Sequence, residues 1–187
     1  MAAFQFHTPQ TAPDAARPAL EAAQKSLGFV PNLYGMLAEN PAALEAYQTL
    51  AGIFAKAGFS PVEQQLVPLI VSVENQCSFC VGAHSALSTM AKVSPEIVNA
   101  VRDGAPIGDA KLEALRAFTL KVIRERGFVA DADVARFLEA GYTKAHVLGV
   151  VLGVAWKTIS NYANHLAETP LNEAFAPFAW SPKQRAA

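Results

Sequence analysis

Helix punctuation constrains this chain more than any other feature. Ser60-Pro61-Val62-Glu63 places a capping hydroxyl three residues before a glutamate and a proline at the first helical position. That proline lacks an N–H at the one place where the helix cannot use it. Ser94-Pro95-Glu96 repeats the device, and Gly104 closes the short helix that follows. Asn40-Pro41 opens a segment that runs to Lys56 and stops at Gly58. Asp109 opens another that ends before Gly127, Asp131 to Ala140 is followed by Gly141, and Thr143 starts a long helix reaching about Leu166. Polar acceptors at the starts satisfy orphan amides, and glycines past the ends adopt the left-handed conformation that terminates a helix. No stretch alternates with period two between turn signals, so no sheet is expected and the fold class is all-α.

A chain of 187 residues suits a single all-helical domain spanning 1–187. Within it, about 1–28 reads as an N-terminal arm or helix, 60–104 as the helices carrying both cysteines, and 109–167 as a second helical half. Leu112, Leu115, Ala117, Phe118, Val122 and Ile123 recur at helical spacing and make their helix amphipathic. Val147 to Trp156 is apolar nearly all round, which predicts a central buried helix or an interface helix. Apolar residues make up 52% of the chain and charged residues 17%, a surplus that predicts a homo-oligomer with a covered apolar face. Pro68 lies well inside the segment opening at Ser60 and should kink or break it. Asn75 and Gln76 form a second candidate break, which would leave Cys77 at a fresh helix N-terminus, where the dipole favours a thiolate.

Net charge is −1 with no basic stripe, so nucleic acid is not an expected partner. The N-terminal stretch has neither a basic region nor an apolar core of the secretory kind, and the Val147–Trp156 run is about half a bilayer span. A cytoplasmic location away from membranes is therefore expected. In a reducing compartment a close cysteine pair points to catalysis or metal binding rather than to a permanent staple.

The two cysteines sit in Cys77-Ser78-Phe79-Cys80, with His84 four residues further on. Positions i, i+3 and i+7 share a helix face, so two sulfurs and an imidazole can converge. That is what a dithiol/disulfide couple requires: an attacking thiolate, a resolving thiol and a proton-handling base. Two other readings stand beside it. The sulfurs and His84 could bind a metal with His165 as fourth ligand, or the cysteines could be inert apolar packing. A thioredoxin fold is excluded, because its motif belongs in a βαβ context that this chain lacks. Glu74 follows the apolar positions Leu69, Ile70, Val71 and Val73, so its carboxylate can either sit near the buried side and exchange protons or be an exposed group at the helix end. Glu63 reads as a capping residue, and Asn161, Asn164 and His165 as either cavity or interface residues, the interface being favoured. His7 and His146 read as incidental; Tyr34, Tyr47 and Trp156 read as core or interface aromatics.

The run from Glu74 to His84 resembles the redox motif of the alkyl hydroperoxidase D-like branch of the carboxymuconolactone decarboxylase family. The stretch from Ser160 through Asn161, Asn164 and His165 to Pro170-Leu171 resembles the tail of the longer, peroxidase-related members. The resemblance implies an all-helical fold assembling as trimers or hexamers, and thiol-based reduction of a hydroperoxide substrate. It assigns Cys80 as the sulfur that attacks peroxide and becomes a sulfenic acid. Cys77 then closes the disulfide and His84 relays protons, with Glu74 as the nearest substitute for a missing carboxylate. No nucleotide, flavin or haem motif is present and no cofactor is expected, so an external dithiol or protein reductant must supply electrons.

Two departures from the family pattern bear on activity. Where alkyl hydroperoxidase D has a glutamate, twelve residues before the first cysteine, this chain has Gln65. Where it has a histidine directly before the second cysteine, this chain has Phe79. Loss of a carboxylate predicts a less acidic Cys80 and slow turnover at neutral pH. Two other functions fit the same fold class: a decarboxylase or isomerase of a small lactone, which needs no thiols, and a non-catalytic metal-binding or assembly protein.

Overall fold

The computed structural model describes residues 4–182. In chain order the helices are α1 (Arg17–Leu27), α2 (Asn32–Leu37), α3 (Pro41–Phe54), α4 (Pro61–Glu74), α5 (Ser78–Met90), α6 (Pro95–Asp103), α7 (Ala110–Arg124), α8 (Asp131–Glu139) and α9 (Lys144–Ala167). A 3-10 turn, Glu173–Phe178, follows α9. Among the described residues there is no strand, and no helix is long and apolar enough to cross a membrane.

The caps work as their residues require. Ser60 Oγ accepts from the Glu63 N–H at 3.3 Å, while Glu63 Oε2 accepts from the Ser60 N–H at 2.8 Å, closing a reciprocal box. Asp109 Oδ1 accepts from the Leu112 N–H at 2.9 Å. Glu63 is held further by the Tyr142 hydroxyl, which donates at 2.7 Å, and by Lys111 at 3.6 Å. Tyr142 in turn stacks on Phe137, which stacks on Phe118, each pair 4.3 Å between centroids. The cap of α4 is thus tied to α7, α8 and the start of α9.

Helix α4 is the axis of the fold, packed against α5, α6, α7 and α9. Leu66, Val67, Leu69, Ile70 and Val71 are all buried, which no amphipathic surface helix would allow. Pro68 does not break it: the chain stays α-helical from Pro61 to Glu74. A proline removes one backbone bond, and here the surrounding layers hold the helix regardless; the Ser72 hydroxyl donates to the Pro68 carbonyl at 2.6 Å. The break falls instead at Gln76, whose φ of 57° is left-handed. Cys77 then becomes the N-cap of α5, with its N–H donating to the Ser72 carbonyl at 2.9 Å.

Helix α9 crosses α4 and α3 closely because of glycine. A Cβ built on Gly153 would lie 2.6 Å from Val67 Cγ1 and 3.0 Å from Phe54 Cε2. Its apolar first half is buried on one side only: Val150 and Gly153 face the core, whereas Leu148, Val151, Tyr162 and Leu166 form an exposed stripe along the opposite side. Two elements were invisible to cap reading, α2 and the 3-10 turn. The turn lies along α5, fastened by Arg102, which donates to Ser85 Oγ at 2.8 Å and to the carbonyls of Phe178 and Ala179 at 3.0 Å each.

Candidate active site

Both cysteines are free and almost completely buried, each 1% exposed. Cys77 caps α5 and Cys80 occupies its first turn, so the sequence spacing becomes a sulfur pair at a helix N-terminus. The wall opposite is α9. Asn164 Nδ2 donates to Cys80 Sγ at 3.2 Å and to Cys77 Sγ at 3.7 Å. Cys80 Sγ contacts Ser160 Oγ at 3.7 Å. Asn161 accepts from Asn75 Nδ2 at 3.0 Å and donates to Ser72 Oγ at 3.4 Å, locking the α4–α5 break against α9. Asn161 and Asn164 therefore belong to the cysteine site, correcting the preference for an interface role. The reason is phase: Val150, Gly153, Lys157, Ser160 and Asn164 recur at alternating three- and four-residue steps along the buried face of α9.

Cys80 opens on a cavity of about 550 Å³ whose walls are largely apolar, with the rings of Phe29, Tyr34, Phe79, Trp156 and Phe175 among them. His84 and Lys157 complete the same wall. Cys77 is not among the lining residues; it sits behind Cys80. The 3-10 turn supplies Phe175 and Phe178 as a roof, and Phe175 meets Phe29 edge-on at 5.6 Å. His84 is 5% exposed, packs edge-on against Trp156 at 5.8 Å, and has no partner at Nδ1 among the described residues. It also lines a smaller cavity of about 160 Å³ together with Gln65. Phe79 helps to wall the main chamber, and its ring offers no proton.

The electrostatics divide the two thiols. Burial pushes the Cys80 thiol up, but hydrogen bonding from Cys77, the charge of Lys157 and the Ser160 hydroxyl outweigh it and hold Cys80 well below the ordinary thiol value. Cys77 is pushed far above that value by its hydrogen bond to Cys80 and by burial. The pair thus shares one proton, kept on Cys77. This direction is opposite to the less acidic Cys80 expected from the absence of a carboxylate at Gln65. The activating charge comes from Lys157, a residue that cap and motif reading passed over. Burial and the nearby Lys157 charge hold His84 well below its usual value, so its imidazole is neutral at physiological pH.

Glu74 is not brought into the cavity. Its carboxylate takes a bidentate pair from Arg124 of α7, 2.9 Å at each oxygen, at the end of α4. His165 lies on the exposed flank of α9, stacked on Tyr162 at 6.4 Å, away from the buried face that carries Asn164. Among the described residues, no three His, Cys, Asp or Glu side chains gather as a metal site. His146 is the N3 partner of Thr143 in the cap of α9, and His7 bonds the Thr11 carbonyl at 2.9 Å.

An all-α bundle that presents a buried C-x-x-C pair at a helix N-terminus, beneath an aromatic chamber, defines a class of helical dithiol proteins. Residues 41–121 match the model of the carboxymuconolactone decarboxylase family. That segment is similar to the family's core, and the whole chain has the alkyl hydroperoxidase D-like all-α fold. The chain is similar to the alkylhydroperoxidase AhpD core of an uncharacterised peroxidase-related protein from Ralstonia eutropha JMP134. The two share 25% identity and a TM-score of 0.83, over 96% of this chain and 97% of that one. A peroxidase-related protein from Silicibacter sp. TM1040 is 21% identical with a TM-score of 0.76, over 87% of each chain. The debrominase Bmp8, solved with 2,3,4-tribromopyrrole, is 15% identical with a TM-score of 0.76, over 95% of each chain; that likeness is one of fold. No curated protein matches the chain significantly.

Proposed function

We propose that this protein is a thiol-dependent peroxidase, or a closely related thiol-disulfide oxidoreductase, which reduces hydroperoxides through the Cys77/Cys80 pair. The observation that carries this reading is the asymmetry of the pair: an acidic Cys80 facing the chamber, with a protonated Cys77 behind it. The family core and the peroxidase-related neighbours support an enzyme of this general kind.

In the cycle, Cys80 thiolate attacks the terminal peroxide oxygen, the O–O bond breaks, and Cys80 becomes a sulfenic acid. Cys77 attacks the sulfenic sulfur, expelling water and leaving a disulfide. An external dithiol then restores both thiols by exchange. His84 lines the same chamber as the reacting sulfur, a neutral ring packed against Trp156. In this reading the protein works in the cytoplasm and self-associates through the exposed apolar stripe of α9.

The test is intact-mass analysis and thiol titration before and after one equivalent of cumene hydroperoxide. Wild type should lose both thiols together and two hydrogens within one chain. Cys77→Ser should stop at a sulfenic acid and over-oxidise, whereas Cys80→Ser should stay unreacted. Glu74→Gln should leave the oxidation rate within about two-fold, because its carboxylate is engaged by Arg124 outside the cavity. Exchange of the two cysteine phenotypes would reverse the assignment of the attacking sulfur. An unreactive wild type would end the redox reading.

A further inference from the structure

Lys157 is fully buried, and among the described residues its Nζ has no hydrogen-bond partner. The ammonium lies 5.2 Å from the Trp156 ring centroid and 5.8 Å from that of Tyr47, whose faces partly replace its lost hydration. Cation–π contact recovers only part of what an ammonium loses on leaving water, so a buried lysine with no acceptor is poised for something else. Among the described lining residues Lys157 is the one formally charged side chain, and neither a carboxylate nor an arginine shares the chamber wall. The counter-charge available there is the Cys80 thiolate.

That arrangement has a consequence once a peroxide reacts. Negative charge leaves the sulfur and appears on the departing oxygen, inside an aromatic chamber where an uncompensated alkoxide is very costly. A proton must reach it. Tyr47 is driven well above its ordinary value by burial and by the nearby Cys80 charge, which makes it a poor donor. His84 carries no extra proton to give.

Resting on the peroxidase reading, we infer that Lys157 is a catalytic acid of this site, delivering its proton to the alkoxide released when Cys80 cleaves an organic hydroperoxide with an apolar body. Cys80 S⁻ forms a bond to the terminal oxygen of R–O–O–H and is oxidised to S–OH; the O–O bond breaks; RO⁻ takes a proton from the Lys157 ammonium and leaves as ROH, so Lys157 becomes a neutral amine. Cys77–SH and Cys80–SOH condense to the disulfide and water. An external dithiol reduces the disulfide, giving one of its two protons to Cys77 and the other to Lys157, which restores the resting thiolate–ammonium pair. An apolar R group matches the aromatic walls, and a chamber of about 550 Å³ is far larger than hydrogen peroxide needs.

The experiment compares two oxidants in single-turnover stopped flow, with every rate divided by the measured fraction of Cys80 thiolate. Cumene hydroperoxide releases a strongly basic alkoxide that requires the acid; perbenzoic acid releases benzoate, which does not. Lys157→Met should lower the cumene hydroperoxide rate by about 100-fold or more, in the range general-acid catalysis supplies, and the perbenzoic acid rate by less than about ten-fold. Equal losses with both oxidants, or no loss, would overturn the assignment, since a purely structural or thiolate-stabilising lysine cannot distinguish leaving groups. Wild type provides a second reading that no folding defect can obscure. Its perbenzoic-to-cumene rate ratio should be at least about ten-fold smaller than that of free dithiothreitol thiolate, and an unchanged ratio would also overturn the assignment. If neither oxidant consumes wild-type thiols, the peroxidase reading itself has failed and the role of Lys157 falls with it.

Discussion

Gly153→Ala should destabilise the protein even though alanine is the better helix former. In a helix interior the exchange is worth about 1 kcal/mol in favour of alanine. Against this, the added Cβ would lie 2.6 Å from Val67 Cγ1 and 3.0 Å from Phe54 Cε2. Val67 is fully buried on α4, and a β-branched side chain in a helix has essentially one rotamer, so it cannot swing aside. The remaining response is to lift α9 off α4, and overpacking of this sort costs about 1–3 kcal/mol. Gly52→Ala is the matched control: Gly52 lies within α3, is exposed, and a Cβ there meets nothing within 4 Å. The difference between the two variants isolates the steric cost, and at about 2–4 °C per kcal/mol for a chain of this size it should separate their melting temperatures by several degrees. Thermal and urea unfolding at one protein concentration would measure it. Since Trp156, Lys157, Ser160 and Asn164 ride on the same helix, Gly153→Ala should also raise the value at which Cys80 ionises. Gly153→Ala melting level with Gly52→Ala would refute the close-packing argument.

Three further outcomes are expected. Because the folded-state value of Cys80 is depressed, one thiolate per chain should absorb in the ultraviolet at neutral pH, vanish in Cys80→Ser, and be lost as pH falls through the depressed value; absorbance appearing only near the ordinary thiol value of about 8.5 would contradict this. Unfolded chains still hold that proton across the intervening window, so stability should rise with pH there, while the raised Cys77 acts in the opposite sense above it. Light scattering should give a mass several times 19.9 kDa, and Leu148→Glu with Leu166→Glu should lower it; a wild-type monomer would show that the stripe on α9 needs no partner.

Much of the scaffold was legible because helix ends obey local chemistry. The Ser60–Glu63 box, the Asp109 cap and the starts at Pro41, Pro95 and Lys144 lie where a few adjacent side chains dictate. Pro68 misled because its local penalty is overruled by packing on all sides of α4, a tertiary effect. The cysteine pair and the α4–α5 break were readable; the site's other wall was not, because it meets Cys80 only through folding of residues some eighty positions apart. Lys157 did leave a trace. It falls in phase with Val150, Gly153, Ser160 and Asn164, so a lysine stood on the one stripe of α9 that had to be buried. Glu74 looked central by proximity in sequence, yet Arg124, fifty residues away, takes its carboxylate in a bidentate pair, and Glu74 does not line the cavity.

If the proposed redox cycle holds, the burial of the sulfurs limits how the protein can be recharged. With Cys80 facing the chamber and Cys77 behind it, an incoming reductant meets only Cys80, through the mouth that admits the oxidant. A folded donor with a flat redox surface cannot bring its sulfur that deep. A slender dithiol, or a reductant that extends a thiol on a loop, can do so. On the proposed peroxidase reading, oxidant and reductant then contend for the same chamber, and surplus hydroperoxide lingering there would slow the step that restores the dithiol.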